Sequence, residues 1–183
     1  MWKLGGRLGN QMFQYAYLFA QVKRGEIPDI YLQSEEYFED YNREIKAIFS
    51  TGIGHLDQVS IHVRRGDYVN NPFYTDLFES GYYEEAMEMF PDANFLVFSD
   101  DIAWCKRQPL FEECEFSEGN DEVTDLNLMA SCQHNIIANS SFSWWAAYLN
   151  PNPNKKVIAP ALWHPDGLER TVLPANWITI WNA

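Results

Sequence analysis

From Val59 onward the chain alternates short apolar runs with helix-like stretches, and this alternation constrains the fold more than any other feature. Val59-Ser60-Ile61-His62-Val63 reads as a strand. Phe95-Leu96-Val97-Phe98 is a nearly continuous apolar run of the kind buried on both faces of a sheet. Further strand candidates are Phe111 to Phe116, His134 to Asn139, Lys155 to Pro160 and Trp177 to Trp181. Helix-like stretches fall between them, from Tyr82 to Phe90, Ile102 to Lys106, Asp125 to Cys132 and Trp144 to Leu149. Strand, helix, strand, helix implies an α/β fold, a parallel sheet covered by helices on both sides.

The first of these strands runs straight into Arg64-Arg65-Gly66-Asp67. Guanidiniums at the end of a buried strand are costly unless something anionic meets them. In an open α/β sheet that end is where ligands sit, and a phosphate or diphosphate suits the paired donors of arginine. Taken alone, the two arginines are better explained by an ion pair with Asp67 or another carboxylate. His62 lies two residues before Arg64 and so faces the same side. A satisfied core histidine is the competing explanation for it.

The sequence has 183 residues, 46% of them hydrophobic, and a formal net charge of −13. That is enough chain for one ordinary domain with a core. The negative field disfavours nucleic acid and anionic membrane surfaces as partners, so an anionic substrate needs a local basic pocket. The three cysteines, Cys105, Cys114 and Cys132, have no metal-binding spacing and read as packing residues of a reducing compartment. No apolar run reaches membrane-spanning length and no leader opens the chain. The expectation is a cytoplasmic protein if the chain is complete, peripheral to a membrane at most. A chain trimmed of an anchor would read the same way.

At the N-terminus, Met1 to Leu4 reads as a strand stub, Gly5-Gly6-Arg7-Leu8-Gly9-Asn10 as a glycine-rich turn, and Met12 to Ala20 as a helix. Glycines at a helix start let backbone N–H groups approach a ligand. The spacing differs from the dinucleotide fingerprint, so a plain tight turn fits equally. Arg7 and Asn10 are polar groups such a turn does not need. Gly25 to Pro28 reads as a helix stop, Ile30 to Leu32 as a strand, and Ser34 as a cap for the acidic stretch Glu35 to Asp40. A further helix lies between Tyr41 and Leu56. A division is expected near residue 57, with 1–57 an N-terminal portion and 58–183 the main sheet domain.

On this reading the strands ending at Arg64, Ser99 and Asn139 share one carboxyl edge. Arg64 and Arg65 bring positive charge there. Ser140 and Ser141 bring hydroxyls and helix-start N–H groups, a natural phosphate cradle. Asp125 offers an acceptor suited to the ring N–H and amino group of guanine. Each is individually explicable as structure; together they favour a nucleoside diphosphate pocket. Asp100-Asp101 has the residues to hold a cation but reads rather as a helix cap with a surface carboxylate. No Asp-x-Asp or HExxH occurs and the four histidines are scattered, so no metal is expected.

Three ordered stretches carry a family resemblance: Gly6-Arg7-Leu8-Gly9-Asn10-Gln11-Met12-Phe13-Gln14-Tyr15-Ala16, His62-Val63-Arg64-Arg65-Gly66-Asp67 and Asn139-Ser140-Ser141-Phe142-Ser143-Trp144-Trp145. Together they resemble the α-1,2-fucosyltransferases of glycosyltransferase family 11. The resemblance implies a GT-B-like fold of two facing Rossmann-type halves. It also implies GDP-fucose as donor, a terminal β-galactoside as acceptor, inversion at the fucose carbon, and no metal or other cofactor. By resemblance Arg64 holds the diphosphate, His62 lines the nucleotide site, Asp125 faces guanine, and Ser140 and Ser141 meet phosphate. Gly9, Arg65, Asn139 and Phe142 complete the donor-contacting set. Arg7, Asn10, Arg64 and Asp67 fall at the reacting centre. An inverting transfer wants a base, and Asp67 is the nearest carboxylate by sequence, although orienting an arginine explains it as well. Residues 1–57 are too few for a full Rossmann half, the shortfall falling between the first helix and Tyr31. Two other readings stand beside transfer: a donor-binding relative with little transferase activity, and a glycan-binding module using some of the seven tryptophans.

Overall fold

In the computed structural model, residues 6–24, 35–50, 52–165 and 173–182 are described. They form α1 (Leu8–Arg24), α2 (Asn42–Phe49), β1 (Leu56–Val63), α3 (Tyr82–Glu88), β2 (Phe95–Ser99) and α4 (Ile102–Cys105). Then follow β3 (Glu115–Phe116), α5 (Glu122–Ser131), β4 (Cys132–Ile136), α6 (Ser141–Leu149), β5 (Val157–Pro160) and β6 (Ile178–Ile180). The expected strands at residues 1–4 and 30–32, the helix stop at 25–28 and the Ser34 cap lie outside the described residues.

The six strands pair in the order β3-β2-β1-β4-β5-β6, every pair parallel. This is the strand order of a Rossmann-type sheet, whose ligand crevice opens where the order reverses, between β1 and β4. β1 is central, with Ile61 in register with Val97 on one side and Ile136 on the other. Its alternation sorts the two faces. Val59, Ile61 and Val63 enter a core with Tyr82, Tyr83 and Ala86 of α3, Cys105 of α4 and Phe111. Ser60 and His62 face the opposite layer, where α1, α2, α5 and α6 pack.

α6 is buried from Ser143 to Leu149, as a helix apolar on all sides must be. Phe13 of α1 lies 4.6 Å from the Trp144 ring and 4.9 Å from Trp145, and Phe38 stacks on Trp145 at 5.6 Å. Both tryptophans are 0% exposed, which removes them as glycan-stacking surfaces. The buried amides beneath the sheet satisfy one another. Asn135 donates to the Ser60 hydroxyl at 2.7 Å, and Asn150 donates to Asn135 Oδ1 at 2.8 Å.

Two elements are shorter than their sequence suggests. The stretch from Phe111 to Phe116 yields a strand only at Glu115–Phe116. Pro109 opens a 3-10 turn that buries Phe111, and Glu112-Glu113 then both lie exposed, breaking the alternation a strand needs. β4 ends at Ile136, although Ile137 N–H still reaches the Ile158 carbonyl at 2.9 Å. The chain then turns to aim Asn139 at neighbouring loops. Cys105 and Cys132 are buried and all three thiols are free, as packing residues would be. Among the described residues no helix is long and apolar enough to cross a membrane.

Candidate functional site

At the β1/β4 crevice the chain encloses a cavity of about 390 Å³. That falls within the roughly 300–1,000 Å³ of small-molecule sites. The glycine turn (Gly6 to Asn10), the end of β1 (His62, Arg64, Asp67) and the end of β2 (Phe98 to Asp100) line it. So do the first turn of α5 (Glu122, Asp125) and the start of α6 (Ser140, Ser141, Phe142). Tyr68 and Tyr74, stacked at 3.6 Å, form the rim.

The two arginines part company, because neighbours on an extended chain point to opposite faces. Arg64 turns into the cavity beside His62. Arg65 turns away, its guanidinium 3.6 Å from the Trp104 ring centroid and 3.5 Å from Asp101. The acids at the end of β2 divide the pair between them. Asp101 takes Arg65 and caps α4 through Trp104 N–H at 3.1 Å. Asp100 takes Arg64 through one oxygen and accepts the Arg65 backbone N–H at 2.9 Å through the other. Asp100 is therefore part of the site rather than surface. Its carboxylate occupies the space a side chain on Gly66 would need, and Gly66 has a positive φ of 21°.

Arg64 is held from its other side by Asp67. Burial alone would push the Asp67 carboxyl up, but the Arg64 guanidinium beside it, helped by Arg7, holds it below the usual carboxylate range. Arg7 stands at the mouth, 3.7 Å from Asp67 and 4.0 Å from Asp100, its side chain 65% exposed. His62 is 5% exposed. Burial, with the charge of Arg64 adding to it, pushes its pKa down to about 3, so the ring is neutral at pH 7. Its Nδ1 has no partner among the described residues. His62 lines the cavity, but this nitrogen has almost no accessible surface and lies within the wall.

The opposite wall is backbone. Ser140 caps α6, so the helix start opens onto the cavity. Gly9 lies against the Ser141–Phe142 peptide, where a Cβ would come 2.6 Å from Phe142 N. The Ser141 hydroxyl donates to Asn10 Oδ1 at 2.9 Å, joining the turn to the helix start. These N–H groups and the helix dipole favour an anion. Toward β3, Asp125 Oδ1 accepts from the Ser117 hydroxyl at 2.7 Å and Asn120 Nδ2 at 3.3 Å, leaving Oδ2 without a partner among the described residues.

Of the residues singled out in the sequence, Arg7, Gly9, Asn10, His62, Arg64, Asp67, Asp125, Ser140, Ser141 and Phe142 share this cavity. Arg65 and Asn139 do not line it. Asn139 Nδ2 donates at 3.1 Å to the carbonyls of both Thr75 and Trp163, fastening the rim loops. Asp100, Glu122, Tyr68 and Tyr74 line the cavity as well. Of these, Tyr68 and Tyr74 belong to the polar loop 68–76, whose place after the arginine strand marks it in the sequence as a substrate loop; Asp100 and Glu122 carry no such mark. Among the described residues no group of three or more His, Cys, Asp or Glu side chains could hold a metal ion.

The model of Glycosyl transferase family 11 matches residues 36–181. An alpha-1,2-colitosyltransferase of Escherichia coli is 34% identical over 198 aligned positions, covering 91% of this chain and 67% of that protein. The O-antigen biosynthesis glycosyltransferase WbnK of Escherichia coli is 35% identical over 132, covering 66% and 44%. The galactoside 2-alpha-L-fucosyltransferase SEC1 of Bos taurus is 27% identical over 146, covering 73% and 40%. The chain thus spans about two thirds of the first relative and less than half of the other two. With most of its length matched by the family model, the chain belongs to glycosyl transferase family 11.

Proposed function

We propose that this protein transfers fucose from GDP-fucose to the 2-hydroxyl of a terminal β-galactoside, with inversion and without a metal ion. One observation carries the reading. A cavity at the sheet's reversal point joins Arg64, a neutral histidine and a glycine-packed helix start. Such a site is built for a nucleotide's phosphates, in a family whose relatives include a galactoside 2-alpha-L-fucosyltransferase.

The roles follow from the wall each group occupies. Asp125, oriented by Ser117 and Asn120, accepts from guanine. The start of α6, with Ser140 and Ser141, and Arg64 opposite it, hold the diphosphate between them. As the fucose carbon becomes oxocarbenium-like, negative charge gathers on the departing phosphate. Arg64 is held in place there by Asp67 and Asp100, and the exposed Arg7 adds a second positive group, together supplying the charge a metal supplies elsewhere. From the N-terminal portion, Arg7 and Asn10 stand at this cavity, where the acceptor meets the donor.

A second reading is a GDP-binding relative with little transferase activity. Product linkage separates the two. With GDP-fucose and lactose, an α-linked fucose on O2 of galactose, read by NMR, supports transfer. Fucose on another oxygen overturns the regiochemistry. GDP binding without any product supports the second reading.

A further inference from the structure

The Arg64 guanidinium lies between two carboxylates that differ in how they are held. Asp100 is anchored: its side chain is 24% exposed, one oxygen is fixed by the Arg65 backbone N–H, and Gly66 lies against it. Asp67 is not. It sits on a 3-10 turn, 58% exposed, and the partners of its carboxylate are Arg64 and, at 3.7 Å, Arg7. All four groups border the cavity where a diphosphate must meet the same guanidinium.

We infer that Asp67 is the acceptor base, kept from acting by Arg64 until the donor's diphosphate takes its place. This rests on the transferase reading above. An incoming diphosphate competes with Asp67 for the outer N–H groups of Arg64, while Asp100 keeps the inner ones and so keeps the guanidinium aimed. Arg7, at the mouth, turns to the same phosphates. Both cations are then compensated by donor, and Asp67 is left as an unpaired, solvent-reachable carboxylate beside the reacting carbon. In the transfer, the galactose 2-hydroxyl oxygen bonds to C1 of fucose as the C1–O bond to the β-phosphate breaks. The bond's electron pair leaves with GDP, and the hydroxyl proton passes to Asp67. Without donor the carboxylate remains paired, which imposes donor-first binding.

A carboxylate that merely orients Arg64 and one that competes with the donor have opposite effects on GDP affinity. GDP binding to the full chain is measured by calorimetry for wild type, Asp67→Asn and Asp100→Asn. Loss of a competitor makes Asp67→Asn bind GDP about fivefold more tightly, with galactoside-dependent turnover lost. Asp100→Asn, stripped of its anchor role, binds more weakly. A weaker or unchanged GDP affinity in Asp67→Asn overturns the inference while leaving the donor site intact. Failure of the wild type to bind GDP overturns the donor reading itself. Proton uptake on GDP binding at acidic pH gives a second readout. It is larger in wild type than in Asp67→Asn if Asp67 is released, and equal in the two if it is not.

Discussion

Gly9 and the Ser141–Phe142 peptide are packed so closely that a Cβ on Gly9 would fall 2.6 Å from both Ser141 C and Phe142 N. The first turn of α1 and the first turn of α6 thus meet backbone to backbone. Residues more than a hundred positions apart form one wall of the cavity.

A methyl group at Gly9 therefore pushes the glycine turn off the helix start. Gly9→Ala is expected to lose about 1–3 kcal/mol in urea unfolding. It should also weaken GDP binding, because the Ser141–Asn10 bond shares that interface. Stability retained alongside normal GDP affinity would show that the contact is looser than described.

Arg64 and Arg65 should respond differently to the same substitution. Arg64→Lys keeps the charge but loses the paired N–H geometry, and GDP affinity should fall about tenfold or more. Arg65→Lys removes the stacking on Trp104 and should cost about 1 kcal/mol of stability, with GDP affinity nearly unchanged. Parallel calorimetry and denaturation of the two variants checks both.

Base selectivity should depend on Asp125, whose Oδ2 is free to accept. Asp125→Asn is expected to cut the preference for GDP over ADP about tenfold or more. Competition binding with the two nucleotides measures it.

The buried His62 predicts a pH effect with a definite sign. Its pKa is about 3 in the folded protein, against 6.5 for the ordinary ring. Between those values the unfolded chain holds the extra proton, so stability falls as pH drops from 6.5 toward 3. The limiting slope is about 1.4 kcal/mol per pH unit for one proton. His62→Gln lacks this contribution, and its unfolding free energy should fall less steeply than wild type's over that window.

The parallel sheet was readable because strands covered on both faces are continuous apolar runs, as in Phe95–Phe98, and helix-like stretches separate them. Arg64, Ser140 and Ser141 were readable because strand ends and helix starts are where ligands meet such a sheet. The division of the arginines was not, since it turns on strand alternation continuing past Val63 and on which acid stands opposite. Asp100 looked like half of a cap because Asp101, next to it, is one. Asn139 counts as a donor contact by family resemblance alone. The carbonyls it fastens, at Thr75 and Trp163, are distant in sequence and announce nothing. The loop holding Tyr68 and Tyr74 is marked for ligand contact by its place after the arginine strand, but which of its side chains reach the cavity no periodicity encodes.

The most direct test is GDP release from GDP-fucose in EDTA, with and without lactose, for wild type and Arg64→Ala. Wild type should release GDP in a lactose-dependent reaction that the chelator leaves untouched and the substitution abolishes. Release that needs a divalent ion, or that survives loss of Arg64, would contradict the proposed transfer.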